Sequence, residues 1–294
     1  MKNKMKIACL GGDARCVAMA KRLSILGADV YTWGMGRVEG EGITQAVSPD
    51  TARQGAQVVV LPMPAFDEEG KLYGPLHDRS SMPLARELFA LIEGEIPILG
   101  GRISPTVWET AKALGVHLYD YAEREDFKIR NAVPTAEGAI CLAMQALDRT
   151  LSGSHVAILG YGCIGAALAE RLKHFGAHVT VAARKIRDVA RIECAGLRAI
   201  HLTGEGSLRP LTAGYDIIFN TVPYRLLTPK LLIPMPEKTL LVELASAPGG
   251  WDSTIALPCR AIYAPGIPGK HAPTTAGNIM AQTIDTILKE VDMT

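Results

Sequence analysis

"HVAILGYGCIG", residues 155–165, joins a short apolar run to three closely spaced glycines. The apolar run "HVAIL" reads as a buried strand, and "GYGCIG" after it places glycines at 160, 162 and 165. That is the spacing of a strand-to-helix turn that holds a pyrophosphate. The first glycine makes the tight turn, the second lets the main chain approach the phosphates, and the third lets the helix pack against the strand. The helix "CIGAALAERLKHFG" carries Ile164, Leu168, Leu172 and Phe175 on one apolar stripe, and a further strand, "HVTVAA", ends at Ala183. Gly160, Tyr161, Gly162, Cys163, Ile164 and Gly165 are therefore expected to bind a dinucleotide at the helix N-terminus. A carboxylate at the end of that second strand would accept bonds from the ribose hydroxyls and repel a 2′-phosphate. Here Ala183 is followed by Arg184 and Lys185, a planar and a point-charge partner for phosphate. NADP is the expected cofactor. The plain alternative is an ordinary turn followed by two solvated charges.

The alternation continues on both sides. "LRAIHL", "YDIIFNTV", "TLLVELA" and "AIYAP" extend the second half, while "KIACL", "ADVYTW", "AQVVVLP", "IPILGG" and "VHLYDY" make a similar series in the first. Strands separated by helices imply an α/β protein with two Rossmann-like, doubly wound parallel-sheet domains and an interdomain cleft. The charged stretch "YAEREDFKIRNAV", 121–133, interrupts the pattern and is expected to be a hinge, with a helix starting near Pro134. The expected domains are 1–130 for substrate and 131–273 for NADP. A C-terminal helix, 274–294, is expected to pack back onto the first domain through Ala276, Ile279, Met280, Ile284, Ile287, Leu288 and Val291. "FNTVP" ends a strand on the side of the glycine turn. Asn220, Thr221, Val222 and Pro223 should then flank the nicotinamide half, unless Asn220 only makes an Asx-type turn.

Both halves begin alike. Aligning "CLGGDARC" with "ILGYGCIG" pairs Gly11 with Gly160, Asp13 with Gly162 and Cys16 with Gly165. The first turn thus lacks both glycines that admit a pyrophosphate, and reads as a related fold freed for another ligand. Asp13 and Arg15 lie at the mouth of its first helix, Arg102 follows another strand end, and Lys270 and His271 sit in "PGKHAP", read as a Gly/Pro-rich loop.

Composition narrows the functional classes. The chain has 294 residues, 48% hydrophobic and 21% charged, with a formal net charge of +1, which gives no reason to expect nucleic acid or a membrane surface as partner. Six scattered cysteines without a CxxC pair argue against a metal site or a disulfide framework and for a reducing, cytoplasmic setting. The first residues lack the apolar core of a signal peptide, and no apolar run is long enough to span a bilayer.

Beyond these readings, "GGDAR", "NAVPTAEGAI", "GYGCIG", "NTVP", "ELASAPGGWD" and "APGIPGKHAPTTAG" together resemble the A-subunit family of dipicolinate synthase, over nearly the whole chain. The resemblance implies NADP-dependent oxidation of a dihydrodipicolinate to dipicolinate, the calcium chelator of bacterial spores. It also implies the flavoprotein-like B subunit of dipicolinate synthase as partner, with a homo-oligomer left open as a further assembly. A small dicarboxylate needs cations or N–H donors, so Asp13, Arg15, Arg102, Thr135, Glu137 and Lys270 are expected around the substrate. Asp13, Lys270, His271 and Glu137 are the candidates for proton transfer. Two alternatives stand beside this reading. A D-2-hydroxyacid dehydrogenase shares the two-domain plan, but the strand exit "APGIP" lacks the histidine such enzymes place there. A non-catalytic NADP-binding regulatory module is the other.

Overall fold

Short runs of aliphatic residues, several buried on both faces, form the strands of the computed structural model, which describes residues 4–92, 96–212 and 214–292. The first sheet contains β1 (Lys6–Leu10), β2 (Asp29–Trp33), β3 (Ile43–Gln45), β4 (Val58–Val60), β5 (Ile98–Gly100) and β6 (Leu118–Asp120). Its order is β3-β2-β1-β4-β5-β6 and every neighbouring pair is parallel. The second contains β7 (His155–Leu159), β8 (His178–Ala183), β9 (Arg198–His201), β10 (Ile217–Asn220), β11 (Leu240–Glu243) and β12 (Arg260–Tyr263). Its order, β12-β11-β10-β7-β8-β9, is the same doubly wound arrangement read from the other edge, again all parallel. In each sheet the winding reverses beside the first strand, at β1/β4 and at β7/β10. Ligands of open α/β sheets bind outside the strand ends at such points.

The helices are α1 (Ala14–Ile25), α2 (Pro49–Arg53), α3 (Ala85–Leu91), α4 (Pro105–Ala113), α5 (Glu125–Ala146), α6 (Cys163–His174), α7 (Ile186–Cys194), α8 (Pro229–Leu232), α9 (Ile267–His271) and α10 (Pro273–Asp292). Local chemistry sets their starts. Ser104 caps α4 by accepting from the Val107 N–H, with Pro105 in the first turn, where its missing donor is not needed. Glu125 and Asp126 begin α5, where a helix N-terminus favours negative charge.

The chain forms two compact units, one of residues up to Asn131 together with those from Pro268 onward, the other Ala132–Ile267. In the first, α10 enters the core through Ile279, Met280, Ala281 and Ile284, packed with Cys16, Met19 and Leu23 of α1. Burial of a side chain such as Met280 or Ile284 stabilises by about 1.5–3 kcal/mol. Gly277 makes the approach possible, because a Cβ there would overlap the Arg15 carbonyl. Two further apolar layers, one on each face of β7–β12, make the core of the second unit.

Several expectations need correction. The segment 121–133 contains the division between the units, at Asn131, but the helix starts earlier than Pro134: a 3-10 turn, Tyr121–Glu123, leads directly into α5, which begins at Glu125 and runs through Pro134. The charges that disguised it pair with each other, Arg124 with Asp126 and Asp126 with Arg130. The stretch read as a loop around Lys270 and His271 is the short helix α9, and the unit boundary falls at Pro268 rather than at 274. β3 escaped the sequence reading because three half-exposed edge residues show no period. Phe175, assigned to the apolar stripe of α6, caps that helix and is 49% exposed. The side chain of Val291 lies outside the described residues.

Candidate functional site

The glycine turn after β7 is built for close approach from outside. Gly160 has φ +96°, a conformation only glycine adopts freely, and a Cβ there would meet Thr221 Oγ1 at 2.5 Å. A Cβ on Gly165 would overlap the Gly160 carbonyl, so the third glycine sets the contact of α6 with the turn. Gly162, the N-cap of α6, has nothing within 4 Å of its absent Cβ. Space at the second glycine and crowding at the other two is what a pyrophosphate cradle requires. Tyr161, Cys163 and Ile164 surround it, each half-buried or more exposed. Ala183, at the end of β8, is buried, while the Arg184 and Lys185 side chains are exposed, with no hydrogen bond or ion pair to any described residue. A dinucleotide fits this turn.

On the other side of β7, Thr221 and Val222 lie against Gly160, and Thr221 Oγ1 donates to the Leu159 carbonyl at 2.7 Å. Asn220, expected to touch the cofactor, is only 1% exposed and turned inward. Its Nδ2 donates to the Val222 carbonyl and to Glu243, and its Oδ1 accepts from the Val222 N–H. The Asx-type alternative therefore describes its side chain. Pro223, the last residue of that stretch, is exposed.

The turn after β1 is closed. Asp13 stands at the N-cap of α1, the position of Gly162, and its carboxylate accepts from the Arg15 main chain, Nε and Nη2. Arg15 Nη2 also donates to the Met63 carbonyl after β4, so the pair bridges the switch point of the first sheet. Burial opposes the Arg15 charge, but the bond and charge of Asp13 outweigh it and raise the pKa. Cys16 stands at the position of Gly165, and Gly12 accommodates its side chain: a Cβ on Gly12 would overlap it. Burial, with the Asp13 charge, pushes the Cys16 thiol up to about 12, so it is inert. Asp13 is thus engaged in an ion pair with Arg15.

Arg102 is different. It is the one non-glycine residue of positive φ among those described, at +53°. Asp120, at the end of neighbouring β6, holds this backbone by accepting from the Arg102 and Ile103 N–H groups at 3.1 and 2.8 Å. The guanidinium itself is exposed and makes no hydrogen bond or ion pair with a described residue. Two strand spacings, about 10 Å, separate the ends of β1 and β5, so Arg15 and Arg102 bracket the carboxyl end of the first sheet. Gly269 of α9 joins them, since a Cβ there would sit 3.0 Å from Arg15 Nε; Lys270 and His271 follow it, neither of them buried. Sequence reading missed Tyr73 and Asp120. The half-buried Tyr73 hydroxyl has its pKa raised by burial and then by the Asp13 charge, which places it beside the same turn.

Two expected substrate residues belong to the second unit. Thr135 is buried within α5, and Glu137 is exposed and pairs with Arg171 of α6 at 3.4 Å. No group of three or more His, Cys, Asp or Glu among the described residues could hold a metal ion. No described helix is long and apolar enough to cross a membrane.

Comparison with known proteins follows the division into units. Residues 6–122 match the N-terminal domain of the dipicolinate synthase A subunit. Residues 136–246 match the D-isomer specific 2-hydroxyacid dehydrogenase, NAD binding domain. The second unit is thus a nicotinamide-nucleotide-binding domain of the oxidoreductase type, and the likeness to hydroxyacid dehydrogenases in that comparison is confined to it. The dipicolinate synthase A subunit of Bacillus subtilis is 35% identical over 292 residues, covering 98% of this chain and 97% of the relative. The crystal structure of the A chain from Bacillus subtilis is similar at a TM-score of 0.88 and 32% identity, covering 100% of this chain and 98% of that one. The A-subunit structure from Bacillus halodurans gives a TM-score of 0.87 at 30% identity, with 97% of each chain covered. On this identity, which extends through both units, the chain belongs to the A-subunit family of dipicolinate synthase.

Proposed function

We propose that this protein oxidises a dihydrodipicolinate to dipicolinate with NADP, as the A subunit of a dipicolinate synthase whose second subunit is flavoprotein-like. The observation that carries the reading is the contrast between two turns at equivalent positions, one open at Gly162 and one closed by Asp13 and Arg15. The open turn suits the dinucleotide. The closed turn, capped by Asp13 and with Arg15 paired to it, excludes a pyrophosphate and leaves the unpaired Arg102 at the same end of the sheet to attract a small dianion.

Bound NADP would supply the hydride acceptor. The chain's residues then have two tasks: to hold two carboxylates, for which Arg102 and Lys270 are free, and to receive the proton that aromatisation releases. His271 is the candidate for that proton, since Lys270 holding a carboxylate is already an ammonium and the Tyr73 hydroxyl, its pKa raised, keeps its own proton, while Asp13 and Glu137 are engaged with arginines. Loss of a hydride and a proton gives an aromatic ring, so positioning supplies much of the catalysis.

Cofactor choice is testable at Arg184. Arg184→Ala should weaken NADP by roughly 1.5–3 kcal/mol, the value of a hydrogen bond to a charged group, and leave NAD unchanged. Calorimetric titration with both nucleotides checks this. Equal losses would show that Arg184 does not read the 2′-phosphate.

A further inference from the structure

The "ELASAPGGWD" stretch, 243–252, takes no direct part in the proposed chemistry, yet it begins with a buried carboxylate that accepts from three N–H groups. Glu243 ends β11 and is 4% exposed. Its Oε1 accepts from Asn220 Nδ2 at 2.8 Å and from the Ala245 N–H at 2.9 Å. Its Oε2 accepts from the Gly250 N–H at 2.6 Å. The two glycines of the stretch allow this. Gly249 has φ +76°, and a Cβ on Gly250 would meet Asn220 Nδ2 at 2.5 Å. One carboxylate therefore ties the exits of two adjacent strands, β10 through Asn220 and β11 through the returning 245–250 loop. Burying a charge is unfavourable unless hydrogen bonds satisfy it, and a latch of two main-chain donors and one amide does so.

The position of this latch gives it a role. In the second sheet β8, with Ala183 and Arg184 at its end, lies on one side of β7, and β10 and β11 lie on the other. A dinucleotide whose pyrophosphate rests on Gly162 and whose 2′-phosphate reaches Arg184 must carry its nicotinamide half toward β10 and β11. We infer that Glu243 is the positioning residue for the nicotinamide half: it fixes the Thr221–Val222 backbone and the 245–250 loop into the surface against which the ring rests. The inference rests on the cofactor reading proposed above. Asn220 transmits the constraint to Val222 through both ends of its side-chain amide.

Glu243→Gln preserves size but replaces one acceptor oxygen with a donor, which must face N–H groups in either orientation of the amide. The test compares two ligands on the purified full chain: NADPH, and adenosine 2′,5′-bisphosphate, which has the adenosine half only. The expected result is a loss of NADPH affinity of at least tenfold, with the bisphosphate bound within twofold of wild type. Equal weakening of both ligands would reduce Glu243 to a general fold residue and overturn the inference, as would unchanged NADPH affinity. A wild-type chain that binds neither ligand would instead overturn the cofactor reading, and this inference with it. Should Glu243→Gln fail to fold, Asn220→Ala leaves Glu243 its Ala245 and Gly250 donors and carries the same comparison, with the same deciding outcomes.

Discussion

Gly162→Ala is expected to leave the protein folded and to lower its dinucleotide affinity at least a hundredfold, about 2.8 kcal/mol. The added methyl enters space that no protein atom occupies, and the residue's φ of −79° and ψ of −168° suit alanine. Only the weaker preference for alanine at an N-cap then acts on stability, with an effect of up to about 1 kcal/mol. The methyl would stand where the phosphates approach the main chain. Gly165→Ala provides the contrast, because its Cβ overlaps the Gly160 carbonyl and α6 must retreat from the turn. Overpacking of that kind destabilises by about 1–3 kcal/mol or more, and both the melting temperature and the binding should fall. Thermal melts and NADPH titrations of the pair check this. Undiminished binding by Gly162→Ala would show that no pyrophosphate lies on this turn.

Arg102→Gly is expected to give a protein that is more stable and less active. A left-handed backbone costs a non-glycine residue about 1–2 kcal/mol, of which glycine's greater freedom in the unfolded chain takes back about 0.5–1 kcal/mol. Glycine at 102 should therefore stabilise the first unit by about 0.5–1 kcal/mol, since Asp120 still accepts from the same two N–H groups. If the unpaired guanidinium holds a substrate carboxylate, the Michaelis constant for the dicarboxylate rises at least tenfold, about 1.4 kcal/mol. NADP affinity stays unchanged. A stabilised variant with the wild-type Michaelis constant would place the carboxylate elsewhere. Arg15→Ala is a poorer test, because it also leaves Asp13 without its partner and damages the α1 N-terminus.

The sequence carried the doubly wound fold because the period of apolar runs is local. All six strands of the second sheet coincide with runs visible in the residues, and the alignment of Asp13 with Gly162 matches two helix N-caps. What escaped depends on partners distant in sequence. Helix α5 was hidden because its first turns are charged, and those charges find each other only once the helix forms. Asp120 holds Arg102 across neighbouring strands, and Glu243 meets Asn220 only when β10 and β11 pair. Positive φ at Arg102 has no sequence signal at all; glycine precedes it twice, and an arginine after "GG" reads as an ordinary loop charge. The pair Lys270 and His271 is a case where residue type was legible but the short helix carrying it was not.

The most direct measurement supplies the freshly made product of dihydrodipicolinate synthase to the purified chain with NADP, with and without the cognate second subunit. NADPH absorbance and dipicolinate are followed together. Equal amounts of NADPH and dipicolinate are expected, in either sample or only with the second subunit present, at a rate that falls in Gly162→Ala and Arg102→Gly. Dipicolinate appearing with no NADPH formed, or neither product appearing even with the second subunit, would contradict it.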